Sequence, residues 1–337
     1  MALVTYGDIS RAKAGWYAAE LLKRAVPHLI LQQFGQAKPL PKNSSDTIIF
    51  RRVNALSLAT NPLTEGVTPS GSTPTVTEIQ AVMQQYGDYV PITDRAYDMG
   101  QDGILNEYKD VLAEQAAQTV ETVLFYILRA GTNVFYANGT TRVGLNSEYT
   151  LSMQRKMVRA LKRQNVGLIT SKVSSSPNFN TESVLPGYVA AVHVDMESTI
   201  RSMAGFIDVK DYGGGVTPYA SEIGAVEHVR YITSTLITSW ADAGTSSTYN
   251  AAGYNTISTG TTYSDVYPVL LFGKDAFFQT PLKGANAMTP SMLAPGVPRE
   301  GDPLGQRGYI GWKTYFTAGI ANQLWMVRGE VAVRELV

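Results

Sequence analysis

The chain runs to 337 residues, with 28 Lys+Arg against 28 Asp+Glu, 17% charged and 44% hydrophobic residues, and no cysteine. These counts exclude a disulfide-stapled module, thiolate-held zinc or iron–sulfur clusters and thiol catalysis, and they leave no basic excess for a tight polyanion binder. Low charge and 19 tyrosines point to a surface largely covered by neighbours, because tyrosine supplies rigid contact area with a polar tip.

Residues Met1 to Ser10 show no basic segment followed by an apolar run, so no secretory signal is expected. The longest uninterrupted apolar run, Val123 to Leu128, is far short of the ~20 residues of a bilayer span. The expectation is a soluble protein made in a reducing cytoplasm, with no membrane partner. From Ile9 to Phe34, Trp16, Ala19, Leu22, Val26, Leu29 and Ile30 recur near helical spacing, and Pro27 interrupts the pattern. Ala37 to Asn43, with Pro39 and Pro41, reads as an extended linker.

Thr47 to Val53 is rich in β-branched and aromatic residues and predicts a strand; a return strand is expected from about Thr75 to Val90. Between them, residues 61–74 hold three prolines and two glycines, which forbid regular structure. An excursion of that length in a compact domain is a functional arm or a surface loop. Ile104 to Ala130 keeps a 3–4 spacing through Ile104, Tyr108, Val111, Leu112, Val120, Val123, Leu124 and Ile127. Asp102-Gly103 offers a start signal and Gly131 a C-terminal cap. Such a helix is about 40 Å long and spans the molecule.

A loop or small hairpin around Asn138-Gly139 is expected next, then a helix from Leu151 to Asn165. That helix carries Arg155, Lys156, Arg159, Lys162 and Arg163 and no acid. It reads either as a polyanion-facing surface or as a solvated face balanced by acids elsewhere. Further on, a polar loop (171–182), a buried strand (188–194), a short helix (195–203), a turn (211–218) and a single strand (223–232) are expected. Residues 238–265, rich in Ser, Thr, Gly, Asn and Tyr, predict an exposed insertion. A strand at 267–272, a turn into a short element at 274–278, a Pro/Gly-rich connection at 287–302 and closing strands at 308–318 and 324–334 complete the order.

Chemical motifs are sparse. Gly273-Lys274-Asp275 lacks the glycine run and the hydroxyl of a phosphate loop, and Gly213-Gly214-Gly215 is followed by Pro218 rather than by a third spaced glycine. No Gly-x-Ser-x-Gly elbow occurs. His193 and Asp195 share one strand face but form only two ligands; His28 and His228 would join them only by coincidence of folding. Asp208 and Asp211 are loop acids without a catalytic pattern. No catalytic residue, metal site or cofactor is assigned. A hydrolase or binding enzyme using His193 and Asp195 is a competing reading.

The order arm, long β-excursion with a Pro/Gly tip, strut helix, strand-rich domain and closing strands resembles the major capsid proteins of tailed bacteriophages, the Hong Kong 97-type fold, in the α+β class. Ile223-Gly224 through Val229-Arg230, Tyr267-Pro268 through Gly273 with Ala276-Phe277, and above all Gly305-Gln306-Arg307-Gly308-Tyr309-Ile310-Gly311-Trp312-Lys313-Thr314-Tyr315-Phe316 resemble the branch from short-tailed phages with large genomes. The resemblance covers the chain except the 238–265 insertion.

It implies an N-terminal arm (1–45), an extended β-hairpin loop (46–98) lying over an adjacent subunit, and a peripheral domain (99–165) with the spine helix 104–130. An axial domain (166–304) and return strands of the peripheral domain (305–337) follow. The implied function is a coat protein that forms pentamers and hexamers of an icosahedral shell around double-stranded DNA, assembled in the host bacterial cytoplasm and carried in the virion capsid. Implied partners are copies of itself, a separate scaffolding protein, a portal protein and decoration proteins, with the packaged DNA met only by weak non-specific contact. The alternative within the same fold is an encapsulin-type nanocompartment. The best-known family member cross-links through a lysine on the extended loop; here no lysine lies between Lys42 and Lys109, so noncovalent contacts are expected. Arg51, Arg52 and Arg95 near the loop base and Glu65 at its tip are the candidate inter-subunit contacts. Arg155, Lys156, Arg159, Lys162 and Arg163 form a candidate lumen-facing basic face.

Overall fold

The computed structural model describes residues 30–41, 45–68, 70–99, 104–170, 184–212, 219, 221–248, 253–281 and 288–336. The expected helix up to residue 29, the start signal at 102–103, the 171–182 loop and residues 213–218 of the expected turn lie outside them. A 3-10 turn at Leu31–Gln33 leads into β1 (Gln36–Ala37). Strands β2 (Thr47–Val53) and β3 (Val76–Val82) pair from Thr47 opposite Val82 to Val53 opposite Val76. The expected return strand is broken at Met83, after which β4 (Gln84–Thr93) leaves the hairpin for another sheet. Then come α1 (Asp94–Met99), α2 (Ile104–Arg129), β5 (Val134–Tyr136) and α3 (Leu151–Arg163).

The remaining elements are β6 (Tyr188–Val192), α4 (Glu197–Arg201), β7 (Phe206–Asp208), β8 (Glu222–Val226), β9 (Val229–Thr233), β10 (Tyr267–Phe272), β11 (Phe277–Pro281), β12 (Met288–Leu293), β13 (Arg307–Ile320) and β14 (Met326–Val331). A seven-stranded sheet runs β5-β14-β10-β6-β9-β8-β7. Strands β6, β9 and β10 are buried along their whole length because both sheet faces are covered. Alternate residues separate the two sides. Tyr188, Ala190, Val192, Val269 and Leu271 pack with Met153, Met157 and Leu161 of α3 and with Ile200 of α4. Val189, Ala191, Leu270 and Phe272 pack with Leu124, Phe125 and Leu128 of α2.

The second sheet is narrow. β13 pairs with β4 over ten residues on one side, and with β12 and β11 on the other; β1 adds to β11 in parallel. Helix α2 reaches both sheets: its C-terminal half lies on the seven-stranded one, while Leu112 and Ala116 pack on Ile92, Ile310 and Trp312 of the narrow one. The buried stripe differs from the expected one. Val111 is 63% exposed, whereas Ala113, Ala116 and Ala117 are buried and let the helix approach β13 closely. The indole Nε1 of Trp312 donates to Gln115 Oε1 at 3.1 Å.

Three expectations about the strand-rich half are corrected. Residues 223–232 form the hairpin β8–β9 rather than one strand, turning at Glu227 (φ 52°) and His228. An apolar run buried on both faces does not alternate and so hides its turn. Residues 287–302 contain β12, an edge strand, where Pro290 is tolerated opposite Trp312. The 238–265 segment is tied down: Ser247, Thr256, Ser264 and Asp265 are buried, and Thr256 reaches Arg334 as an isolated bridge. Of the expected loop or small hairpin around Asn138-Gly139, residues Val134–Tyr136 pair in parallel with β14 as β5, and Asn138-Gly139 lie in the bends that follow it. The grouping drawn from the resemblance also divides in the packing: α3 and β14 belong with the seven-stranded sheet, β13 with the narrow one.

Candidate assembly surfaces

Period two gives the β2–β3 ladder two different faces. Ile48, Phe50, Thr77, Ile79 and Ala81 share the half-buried face, where Phe50 stacks on Phe278 with ring centroids 3.9 Å apart. The opposite face carries Ile49, Val53, Val76 and Val82, each between 46 and 64% exposed. Beyond the ladder, Leu56, Leu58, Leu63 and Val67 stand out at 52, 87, 75 and 63% exposure. Single exposed apolar residues are ordinary, but a continuous run on one element marks an interaction surface.

Arg51 sits on the exposed face and pairs with Glu78 directly across the ladder, 2.8 Å away, so its partner lies within its own chain. Arg52 points to the other face, and its Nη1 is buried without a hydrogen-bond partner. Glu65 is exposed in a turn at the tip, and Arg95 is exposed on α1. The four candidate contacts therefore occupy three separate places and form no cluster within the chain.

On α3, Met153, Gln154, Met157, Val158 and Leu161 are buried, which turns all five basic side chains outward. Arg155 makes a bidentate bond to Glu227 at 2.5 and 3.0 Å. That bond raises the guanidinium pKa and lowers that of the Glu227 carboxyl. Lys156, Arg159, Lys162 and Arg163 make no ion pair among the described residues. With His228 on one side, the helix borders a shallow groove of about 410 Å³.

Two polar anchors escape the sequence reading. Glu121 lies on the buried side of α2, 1% exposed, and accepts the Leu31 N–H at 2.8 Å. Burial pushes its carboxyl up to about 7 against the pull of that N–H. Trp240, at the start of the insertion, is sandwiched between the guanidinium groups of Arg129 and Arg142 at 3.8 and 3.7 Å from its ring centroid. Arg142 also grips the fully buried Glu330 with two 2.7 Å bonds. An acid in phase with Ala117, Leu124 and Leu128 was a readable signal for the first anchor; nothing local marks the second.

His193 caps the turn that follows β6: its Nδ1 lies 3.0 Å from Asp195 Oδ2 and accepts the Asp195 N–H. Tyr267 donates to the same carboxylate at 2.8 Å. Among the described residues there is no group of three or more side chains able to hold a metal, and no helix is long and apolar enough to cross a membrane.

A family model described as phage capsid protein matches residues 76–329. The major capsid protein of Pseudomonas phage KPP21 is 21% identical over 287 residues, covering 76% of this chain and 71% of that protein. The capsid of Ralstonia phage GP4 superposes with a TM-score of 0.62 at 11% identity, over 90% of this chain and 88% of that one. The capsid of cyanophage Pam1 gives 0.58 at 16% identity, over 89% and 88%. At such identities the two structures speak for the fold.

Proposed function

The chain belongs to the phage capsid protein family, and we propose that its copies close into the icosahedral shell of a phage head by laying the β2–β3 hairpin of each copy over the next. It is a structural component of the virion capsid and associates with copies of itself. The fold is that of tailed-phage capsids, Hong Kong 97 type. The observation that carries the hairpin's role is the run of exposed apolar side chains from Ile49 to Val82, on a two-stranded ladder that belongs to neither larger sheet. An exposed apolar surface of this extent marks a place where another surface docks.

In this reading residues 46–98 are the extended loop, α2 is the spine and the seven-stranded sheet lies at the axial end, where pentamers and hexamers meet. The absence of lysine from the loop supports a shell held by noncovalent contacts. A separate scaffolding protein directs closure in the host cytoplasm, a portal protein occupies one vertex, and decoration proteins sit outside. The shell does no chemistry of its own. Its basic face on α3 looks inward, where four unpaired cations meet DNA phosphates weakly and without sequence preference.

Electron microscopy of the expressed chain, with and without its scaffolding partner, tests the reading. Closed shells with five-fold and six-fold rings are expected; a chain that stays monomeric in every condition, or that occurs in the tail of virions, overturns it. Replacing Lys156, Arg159, Lys162 and Arg163 by Gln is expected to leave shells intact and to weaken the salt-dependent retention of DNA. Unchanged retention sinks the inward-facing assignment.

A further inference from the structure

The hairpin tip has a matching seat elsewhere on the same chain. The outward face of the narrow sheet carries a groove of about 660 Å³ bordered by Tyr89, Tyr309, Ser291 and Lys313. Its floor is bare backbone. Gly87 lies opposite Lys313, and Gly311 opposite Tyr89. A Cβ on Gly87 would fall 2.6 Å from the Trp312 carbonyl oxygen, and one on Gly311 2.8 Å from that of Asp88. Neither position takes a side chain without moving the strands.

Tyr89, 64% exposed, meets Tyr309 edge to face with centroids 6.4 Å apart. Asp88 is already engaged, accepting from Gln115 Nε2 at 2.7 Å and from the Tyr89 N–H at 2.8 Å, bonds that lower its pKa. Lys313 is exposed and has no ion-pair or hydrogen-bond partner among the described residues. The groove thus offers aromatic walls, a flat floor and one free cation.

The tip is the complement of that surface. Residues 54–75 contain a single charge, Glu65, among exposed Leu56, Leu58, Leu63 and Val67. No described residue of the tip lines the groove of its own chain. The groove begins at Gln85, just after the hairpin base at Val82, and seven rungs at about 3.3 Å each carry the tip roughly 20 Å away. We infer that the tip of one copy seats in the Gly87–Gly311 groove of the next, its leucines against Tyr89 and Tyr309 and Glu65 beside Lys313. The inference rests on the shell reading above and gives that contact its address. Head-to-tail repetition of such a contact generates rings where the rotation between copies closes.

Charge exchange tests it. Glu65→Lys and Lys313→Glu are each expected to lower the assembled fraction about tenfold, and the double variant to restore it to within about twofold of the parent. Both positions are exposed, so the unassembled variants should melt at the parent's temperature, which circular dichroism checks. Single variants that assemble like the parent, or a double variant as poor as either single, overturn the pairing. Failure of the parent chain itself to form shells would instead overturn the shell reading.

The lack of cysteine permits a second measurement. Chains carrying Thr64→Cys and chains carrying Ser291→Cys are co-assembled and treated with a flexible bismaleimide. A cross-linked dimer found only in the mixture is expected; its absence from particles that contain both variants overturns the proposal.

Discussion

Hairpins β2–β3 and β8–β9 are both antiparallel ladders between strands adjacent in sequence, and water meets them in opposite ways. In β8–β9 the apolar side chains are buried on both faces, the turn is two residues long, and the acid of its first strand, Glu222, has its side chain wholly inside. Its carboxylate accepts from Arg230 at 2.6 and 2.7 Å, from the Tyr212 hydroxyl at 2.7 Å and from the Tyr219 N–H at 2.9 Å. In β2–β3 one face and tip residues 55–68 and 70–75 remain exposed, and the Arg51–Glu78 pair stands in solvent. The first hairpin is finished when the chain folds. The second is finished only by another copy, so a change in it should act on assembly and spare the fold.

Removing residues 62–74 is the hardest test of that separation. The deletion is expected to abolish shells while the monomer melts within about 2 °C of the parent, because the excised side chains bury no core. Shells of unchanged yield and heat stability would give the tip no interface role. Next in size, Glu222→Ala leaves Arg230, 4% exposed, buried without its counter-charge and should destabilise the fold by about 3–5 kcal/mol. Denaturant unfolding reads this, and a loss below about 1 kcal/mol would erase the contrast between the two hairpins.

Glu121→Gln probes the buried anchor of the segment that leads to the hairpin. The folded carboxyl holds its proton up to about 7, against an ordinary value of 4.5. Between those values the folded chain binds a proton that the unfolded chain has released, so stability falls as pH rises through the window. The Gln variant is expected to lose that slope, worth about 1–3 kcal/mol across the window; parallel stability curves for parent and variant would refute it. The smallest effect belongs to Arg51→Ala. It removes an exposed cross-strand pair worth at most about 1 kcal/mol to the monomer, and a larger loss in thermal unfolding would mean that the pair holds the hairpin together.

What the sequence revealed follows from how far each signal reaches along the chain. The β-branched run at 47–53, the periodicity of α2 and the basic, acid-free run of α3 are local, and the structure has strand, helix and helix at those places. The β8–β9 turn was invisible because Glu227 and His228 are not the glycine or asparagine that usually mark one. Strand partnership was equally hidden. Nothing in 308–334 tells that β13 and β14 enter different sheets, since that choice depends on what arrives from residues 84–93 and 267–281. The tip's composition was plain in the text, while the groove exists only in the register that sets Gly311 opposite Tyr89.

The single residue Met83 between β3 and β4 has a mechanical consequence. Load on the hairpin passes through it directly into β4, whose ten residues are all paired to β13. Inter-strand hydrogen bonds lie perpendicular to the strands, so a pull along β4 strains every rung at once instead of opening them in turn. A shell stretched from within would meet its greatest resistance at this ladder, and the exposed hairpin acts as a tether fastened in shear.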